Sequence, residues 1–356
     1  MLFDEALTGL AAQVRSFSER RLAAVAALKL ADLPASAAFD FLEPGLRLAV
    51  QREPFTGIVA AVDGGIVSQE FQSVDLFAYR SCGVVFNYAG GNRTGHAYYP
   101  SSLPQTELHW DSSLNAQDFN WVKNLKRLSS ELSCALELEK KHSPGLLLLD
   151  GSIVPQISDK PSAGSAVSRL YDDAVATLLA LYEACTERST LLAGVVKDSR
   201  GRHFTDLCRA MPAMREYGDV LARTNDATLL YDFLSVGERS PAFKYASEAS
   251  ESRVLAELGE WSKKVASTYL KPVAFDRPLR VDFLANTSED IPRVATAVDS
   301  LSRLNKNYAY PAVLIEADLR AAMDGREIDY VSAALSSRLG FRPELFRLRR
   351  DSRPFR

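Results

Sequence analysis

Two apolar runs in this chain end on the same residue types. Gly57-Ile-Val-Ala-Ala-Val leads into Asp63-Gly64-Gly65, and Leu146-Leu-Leu-Leu leads into Asp150-Gly151-Ser152. Runs this short and this apolar read as strands buried in a sheet covered on both faces. A carboxylate just beyond such a strand stands at the C-terminal edge of the sheet, where α/β folds place their ligands. The glycines behind it permit tight turns and the close approach of a phosphate or a nucleic-acid strand. One Asp-Gly is an ordinary turn; two, each directly behind a buried strand, point to chemistry.

A third carboxylate is expected from the helix ahead of the second run. Trp121, Leu125, Leu128, Leu132, Ala135 and Leu136 share a helical face, and Ser143-Pro144-Gly145 stops the helix after His142. From Glu131 to His142 the helix climbs about 18 Å at about 1.5 Å per residue. The return from Leu146 to Asp150 covers about 16 Å at about 3.3 Å per residue. A helix and strand running antiparallel across that short turn bring Glu131 level with Asp150. Glu139 lies near the apolar face but at the far end, and Glu137 sits among polar neighbours. A fourth acid is available from Glu316-Ala-Asp318, which follows Tyr308-Ala-Tyr310-Pro311, where Pro311 suits the first turn of a helix. Lys197 closes a third apolar run, LLAGVVK, where a cation would pair with a phosphate or position a water.

Carboxylates gathered at one place repel, and one of them would ordinarily take up a proton. A divalent cation reverses that cost. Oxygen-only ligation selects Mg²⁺ or Mn²⁺, and a pair of ions stabilises the attacking and leaving oxygens of a phosphodiester. Zinc is disfavoured: His96, His109, His142 and His203 never fall at i, i+4, and Cys82, Cys134, Cys185 and Cys208 form no C-x-x-C pair. The scattered cysteines read as reduced thiols of a cytoplasmic protein.

Several elements must position these groups. Residues 1–30 carry Leu7, Leu10, Val14, Phe17, Leu22 and Val25 at helical spacing, a long amphipathic helix. Residues 66–100 alternate β-branched and aromatic residues with glycines, a meander whose loop tip lies at 87–95. Helices are expected at 165–187, at 290–304 and from Ala312 onward, with a turn over 305–311. Residues 200–265 read as a mostly helical, polar insertion, and 228–235 and 278–285 as a pair of strands. The order is α/β and compatible with an RNase H-like mixed sheet flanked by helices, with a helical insertion and an N-terminal helix. It divides into an N-terminal helical region (1–50), a core (51–330) and a basic C-terminal tail (331–356).

Length and composition agree with that order. The chain has 356 residues, 42 Lys+Arg against 45 Asp+Glu and 47% hydrophobic residues, enough apolar mass for a sizeable core. No apolar run reaches the roughly 18 residues that cross a bilayer. The N-terminus lacks the basic region and cleavage site of a signal peptide. With a net charge of −3, binding to a polyanion must come from local basic patches. One such patch is the C-terminus, where Arg338, Arg342, Arg347, Arg349, Arg350, Arg353 and Arg356 interleave with Phe341, Phe346 and Phe355. Its arginines would track phosphates or bind a protein partner.

The sequence of signals resembles the NurA nuclease family: apolar strand and D-G-G, helix with Glu, LLLLDGS, a strand ending in Lys, then Y-x-Y-P before A-D. The likeness runs from about residue 50 to 325, and the paired D-G-G and D-G-S carry most of it. It implies an RNase H-like core, a homodimer and a manganese-dependent nuclease acting on DNA ends, with 5′ to 3′ exonuclease and single-strand endonuclease activity. The implied partner is a HerA-like hexameric ATPase. Carried over residue by residue, Asp63, Glu131 and Asp150 become metal ligands, Lys197 the basic residue after the third core strand, and Tyr310 the tyrosine before the final motif. Where many relatives have His in that motif, this chain has Asp318, which makes the ligand set all-carboxylate.

Two other readings compete. An actin-like or sugar-kinase-like ATPase would use Asp-Gly-Gly as a phosphate loop, but residues 200–300 offer only the isolated Gly201, Gly218, Gly237 and Gly259 for an adenosine loop. A PIWI-like DNA-binding module with a decayed site is opposed by the presence of all four acids.

Overall fold

The computed structural model describes residues 2–33, 40–162, 164–247, 254–340 and 342–349. The chain opens with helix α1 (Leu2–Leu30) and a short strand β1 (Leu48–Ala49). Strands β2 (Gly57–Glu70), β3 (Asp75–Ala89), β4 (Asn92–Tyr99) and β5 (Glu107–Asp111) form the expected meander. Its β3–β4 turn is the two-residue Gly90-Gly91 loop, whose φ angles of 55° and 81° are both in the left-handed region that glycine adopts without penalty. Helix α2 (Ala116–His142) begins at Asn115, whose side chain accepts from the backbone N–H groups of Gln117 and Asp118. It ends at Ser143, held at φ 41°, ahead of Pro144. Strand β6 (Leu146–Asp150), helix α3 (Ser168–Glu187) and strand β7 (Leu191–Val196) follow, as the alternation of apolar runs and helical period predicts.

The second half contains α4 (His203–Arg209), α5 (Gly218–Leu221), α6 (Asp226–Phe233), β8 (Glu238–Arg239), β9 (Phe243–Lys244), β10 (Val265–Leu270) and β11 (Leu279–Leu284). It closes with α7 (Asp290–Leu301), α8 (Ala312–Ala321) and α9 (Gly325–Leu339). The strands join in one sheet, β1-β8-β10-β11-β7-β6-β2-β3-β4, with β5 on β3 and β9 on β10. Among the described residues, only β2–β6 and β6–β7 are parallel. This is the mixed α/β sheet flanked by helices that the element order predicts.

The sheet has two covered faces, and alternation along the strands assigns each residue to one of them. Val59, Ala61, Leu146 and Leu148 pack against α7 and α8 through Val294, Val298, Val313 and Ala317. Ala60, Val62, Leu147 and Leu149 pack against α2 and α3 through Leu132, Leu138, Leu178 and Leu181.

Three expectations are corrected. Residues 228–235 are not a strand: α6 covers 226–233, and Asn225 caps it by accepting from the Thr228 N–H. Its buried Leu229, Leu230 and Phe233 fit helical spacing as readily as strand alternation, so the run was ambiguous by period alone. The partner of β11 is instead β10, pairing Val265 with Leu284 through Leu270 with Leu279. Second, the 200–265 segment is not merely polar, because Phe204, Met214, Leu221, Leu230 and Phe233 form a core with Ala24, Val25 and Leu28 of α1. The N-terminal helix and the insertion are therefore packed together rather than set apart. Third, residues 331–339 belong to α9, whose Ile328, Val331 and Leu335 pack on Phe71 and Leu76. Arg338 lies in that helix, Arg347 pairs with Asp329, and Phe346 is exposed. Phe341, Arg350, Arg353, Phe355 and Arg356 lie outside the described residues.

Candidate active site

Asp63 does not end its strand. β2 continues to Glu70, and Gly64 and Gly65 pair in register with Ser81 and Arg80 of β3. What ends at this point is the neighbour: β6 pairs with β2 only from Val59–Leu146 to Val62–Leu149. Asp63 therefore stands beside the C-terminal end of β6, at the edge the sequence pattern indicated, but on a strand that runs past it. The glycines serve close packing rather than a turn. A Cβ on Gly65 would collide with the backbone carbonyl of Ala321 at the end of α8, and one on Gly64 with the Glu131 carboxylate. This also removes the basis of a phosphate loop at Asp63-Gly64-Gly65.

Strand alternation places Asp63 and Gly65 on the face of Ala61, and Asp150 on the face of Leu148; both faces are the one that α8 covers. Asp318, in the middle of α8, points a half-exposed carboxylate at the same spot. One oxygen from each of Asp63, Asp150 and Asp318 lies within 4.8 Å of the others. Lys197, directly behind β7, donates to Asp150 Oδ2 at 2.6 Å and lies 4.0 Å from Asp318 Oδ1. Tyr310 donates its hydroxyl to Asp150 Oδ1 at 2.8 Å and to the Val195 carbonyl at 3.2 Å. Pro311 caps α8 immediately ahead of its first turn. Glu316 turns away from the cluster and bonds Tyr98 and Arg320.

Glu131 comes alongside Asp150, as the length arithmetic predicts, and both line a cavity of about 70 Å³ between α2, α3 and β6. It approaches from the other face, however, because α2 covers the Val62–Leu149 side of the sheet. The gap at Gly64 lets its carboxylate close in, and the three-acid cluster forms without it. Arg127, one turn earlier on α2, donates to Glu131 Oε1 at 2.5 Å and to the Gly64 carbonyl at 3.4 Å. Sequence reasoning missed Arg127, although its i, i+4 spacing to Glu131 was a usable signal. It also missed Asp159, whose carboxyl burial pushes up while Arg127 opposes.

The electrostatics suit the binding of a cation. Burial, then repulsion from Asp150 and Glu131, pushes the Asp63 carboxyl up to about 8. Burial raises Glu131 to about 7 despite Arg127. Burial works against the Lys197 ammonium, yet its bond to Asp150 and the nearby Asp318 and Asp63 outweigh that and raise it. Burial and the bond to Asp150 hold the Tyr310 phenol firmly protonated. One lysine thus faces three carboxylates, two of them largely buried. An all-oxygen donor set of this kind suits a hard divalent cation.

The NurA domain model matches residues 57–323, three quarters of the chain. Among solved structures, the NurA nuclease from Sulfolobus solfataricus superposes with a TM-score of 0.57 at 17% identity, covering 82% of this chain and 86% of that one. A structure of NurA with manganese matches at 0.52 and 11% identity, over 84% and 93% of the two chains. A structure of NurA bound to dAMP and manganese matches at 0.50 and 11% identity, over 98% and 97%. A search of curated proteins returns no match.

Proposed function

Because the chain belongs to the NurA domain family, we propose that it is a divalent-metal-dependent nuclease that hydrolyses phosphodiester bonds in DNA, with Asp63, Asp150 and Asp318 as metal ligands. The observation that carries this reading is the convergence of those carboxylates, from two strands and a helix, within 4.8 Å of one another. Solved relatives contain manganese, and the donor set here is all oxygen, so Mn²⁺ or Mg²⁺ is the expected ion. Glu131, reaching through the gap at Gly64, is the further carboxylate available to a second ion.

When bound, the cation supplies Lewis acidity at the scissile phosphate and lowers the pKa of a water. The chain's own residues do the rest. Tyr310 and Lys197 hold opposite oxygens of Asp150, fixing the plane of that carboxylate. Lys197 also offsets negative charge on a phosphate entering beside Asp318. Arg127 keeps Glu131 from adding a full uncompensated charge behind Asp63.

We extend the reading to the family's finer properties: 5′ to 3′ exonuclease and single-strand endonuclease activity in DNA end processing, a homodimer, and work with a HerA-like hexameric ATPase in the cytoplasm. Among the described residues no helix is long and apolar enough to cross a membrane.

The test is Asp63→Ala against wild type on 5′- and 3′-end-labelled DNA with Mn²⁺, with and without the ATPase. Loss of digestion by a folded variant is expected, and undiminished digestion would remove the assignment.

A further inference from the structure

Tyr308 and Tyr310 stand two residues apart, and the fold treats them in opposite ways. Tyr310 is buried, and its hydroxyl donates to Asp150 and to the Val195 carbonyl. Tyr308 is 46% exposed. Its ring lies beside that of Tyr310, with centroids 6.0 Å apart, and its hydroxyl has no hydrogen-bond partner among the described residues. Single exposed aromatics are ordinary on a protein surface, so position decides what this one means. Lys197 Nζ bonds Asp150 and lies 4.9 Å from the centroid of the Tyr310 ring. Asp150, Tyr310 and Tyr308 therefore form one line of groups from the acidic cluster out to solvent. The charges of Lys197, Asp150 and Asp318 all reach the Tyr308 phenol, which burial of its inner edge holds above its ordinary value.

The backbone beneath Tyr308 is fixed. In the connection between α7 and α8, the Asn305 side chain accepts from the Asn307 N–H at 2.8 Å and its carbonyl from the Tyr308 N–H at 3.3 Å. The connection between β10 and β11 clamps the same turn. Asp276 accepts from the Ala309 N–H at 2.8 Å, and the Phe275 N–H donates to the Lys306 carbonyl at 3.3 Å. That second loop carries its own ring outward, Phe275 being 67% exposed. An aromatic side chain on a held backbone loses little freedom when another ring stacks on it. Lys197 supplies a cation beside the rings, so a flat π-face and an anion are accommodated together, as a nucleotide presents them.

We propose that Tyr308 is the stacking platform for the nucleobase next to the scissile phosphate, and that Phe275 takes a further base of the same strand. The proposal rests on the nuclease reading and adds to it which part of the substrate is recognised: the face of an unpaired base. A base inside a duplex has both faces covered by its neighbours, so the platform selects a single strand or a frayed end. Every base has a π-face, so it does this without choosing a sequence.

The test is the binding of an end-labelled oligothymidylate, followed by fluorescence anisotropy in Mn²⁺ with the full chain carrying Asp63→Ala, so that the strand is held and not cut. Adding Tyr308→Ala is expected to weaken binding by roughly 5- to 150-fold, the range of one base–aromatic stack. Tyr308→Phe and Tyr308→Trp are expected to keep the affinity. The melting temperature should not change, since the ring is half exposed and its hydroxyl bonds nothing described. A single abasic nucleotide moved along the strand should find one position where the protein with Tyr308 loses the same factor and the Tyr308→Ala variant loses nothing more. Equal affinity of Tyr308→Ala, or a loss that no abasic position reproduces, would overturn the platform alone. A wild-type chain that neither binds nor cuts the strand would overturn the platform and the nuclease reading together.

Discussion

Tyr310 reaches Asp150 across 160 residues of sequence and donates its hydroxyl to Oδ1 at 2.8 Å, while Lys197 takes the other oxygen. The phenol is buried and leaves β7 and α8 held at the same carboxylate. Asp150 therefore enters the acidic cluster with its orientation already set.

Tyr310→Phe keeps the packing and removes only that donor. Losing one such bond costs about 1 kcal/mol of stability. Loss of a group that orients a ligand typically lowers metal affinity or activity by about 10- to 100-fold. Mn²⁺ titration calorimetry and single-turnover cleavage should both show the loss at nearly unchanged melting temperature. Unaltered affinity and rate would mean that Tyr310 only fills space.

Gly65→Ala tests the seating of α8. The added methyl meets the Ala321 carbonyl, backbone that cannot rotate aside, so α8 must shift. Overpacking of this kind costs about 1–3 kcal/mol. Asp318 rides on the same helix, so Mn²⁺ affinity should fall together with the melting temperature. A variant as stable and as tight-binding as wild type would place α8 elsewhere.

The raised carboxyls of Asp63, at about 8, and Glu131, at about 7, make a stability prediction for the metal-free protein. An unfolded carboxyl titrates near about 4. The folded state thus holds these protons more tightly, so their contribution is complete below about pH 4 and is lost as pH rises through about 7 to 8. In chelator the melting temperature should fall across that range, and Asp63→Asn should flatten the slope. Added Mn²⁺ should stabilise more at about pH 8 than at about pH 6, because the ion displaces the proton. A flat profile in chelator would contradict the burial of these acids and their crowding.

Much of this site was legible before any coordinate. Apolar runs bounded by Asp-Gly located β2 and β6, and the rise of a helix against that of a strand picked Glu131 from its neighbours on α2. Those inferences rest on local period and length, which the chain carries in each segment. The failures share one cause. Whether β2 stops at Asp63 depends on the length of β3 beside it, and whether 226–233 is helix depends on the α1 core it joins. The Gly-Gly that looked like a turn is a clearance for α8 and α2, which no neighbouring residue announces.

Residue type and spacing therefore determined which carboxylates were available and that any cation they hold would be ligated by oxygen. Only the tertiary structure decided how they divide: Asp63, Asp150 and Asp318 share the α8 face, while Glu131 comes from behind. A strand's alternation states that two residues share a face, but which helix covers that face is settled by long-range packing.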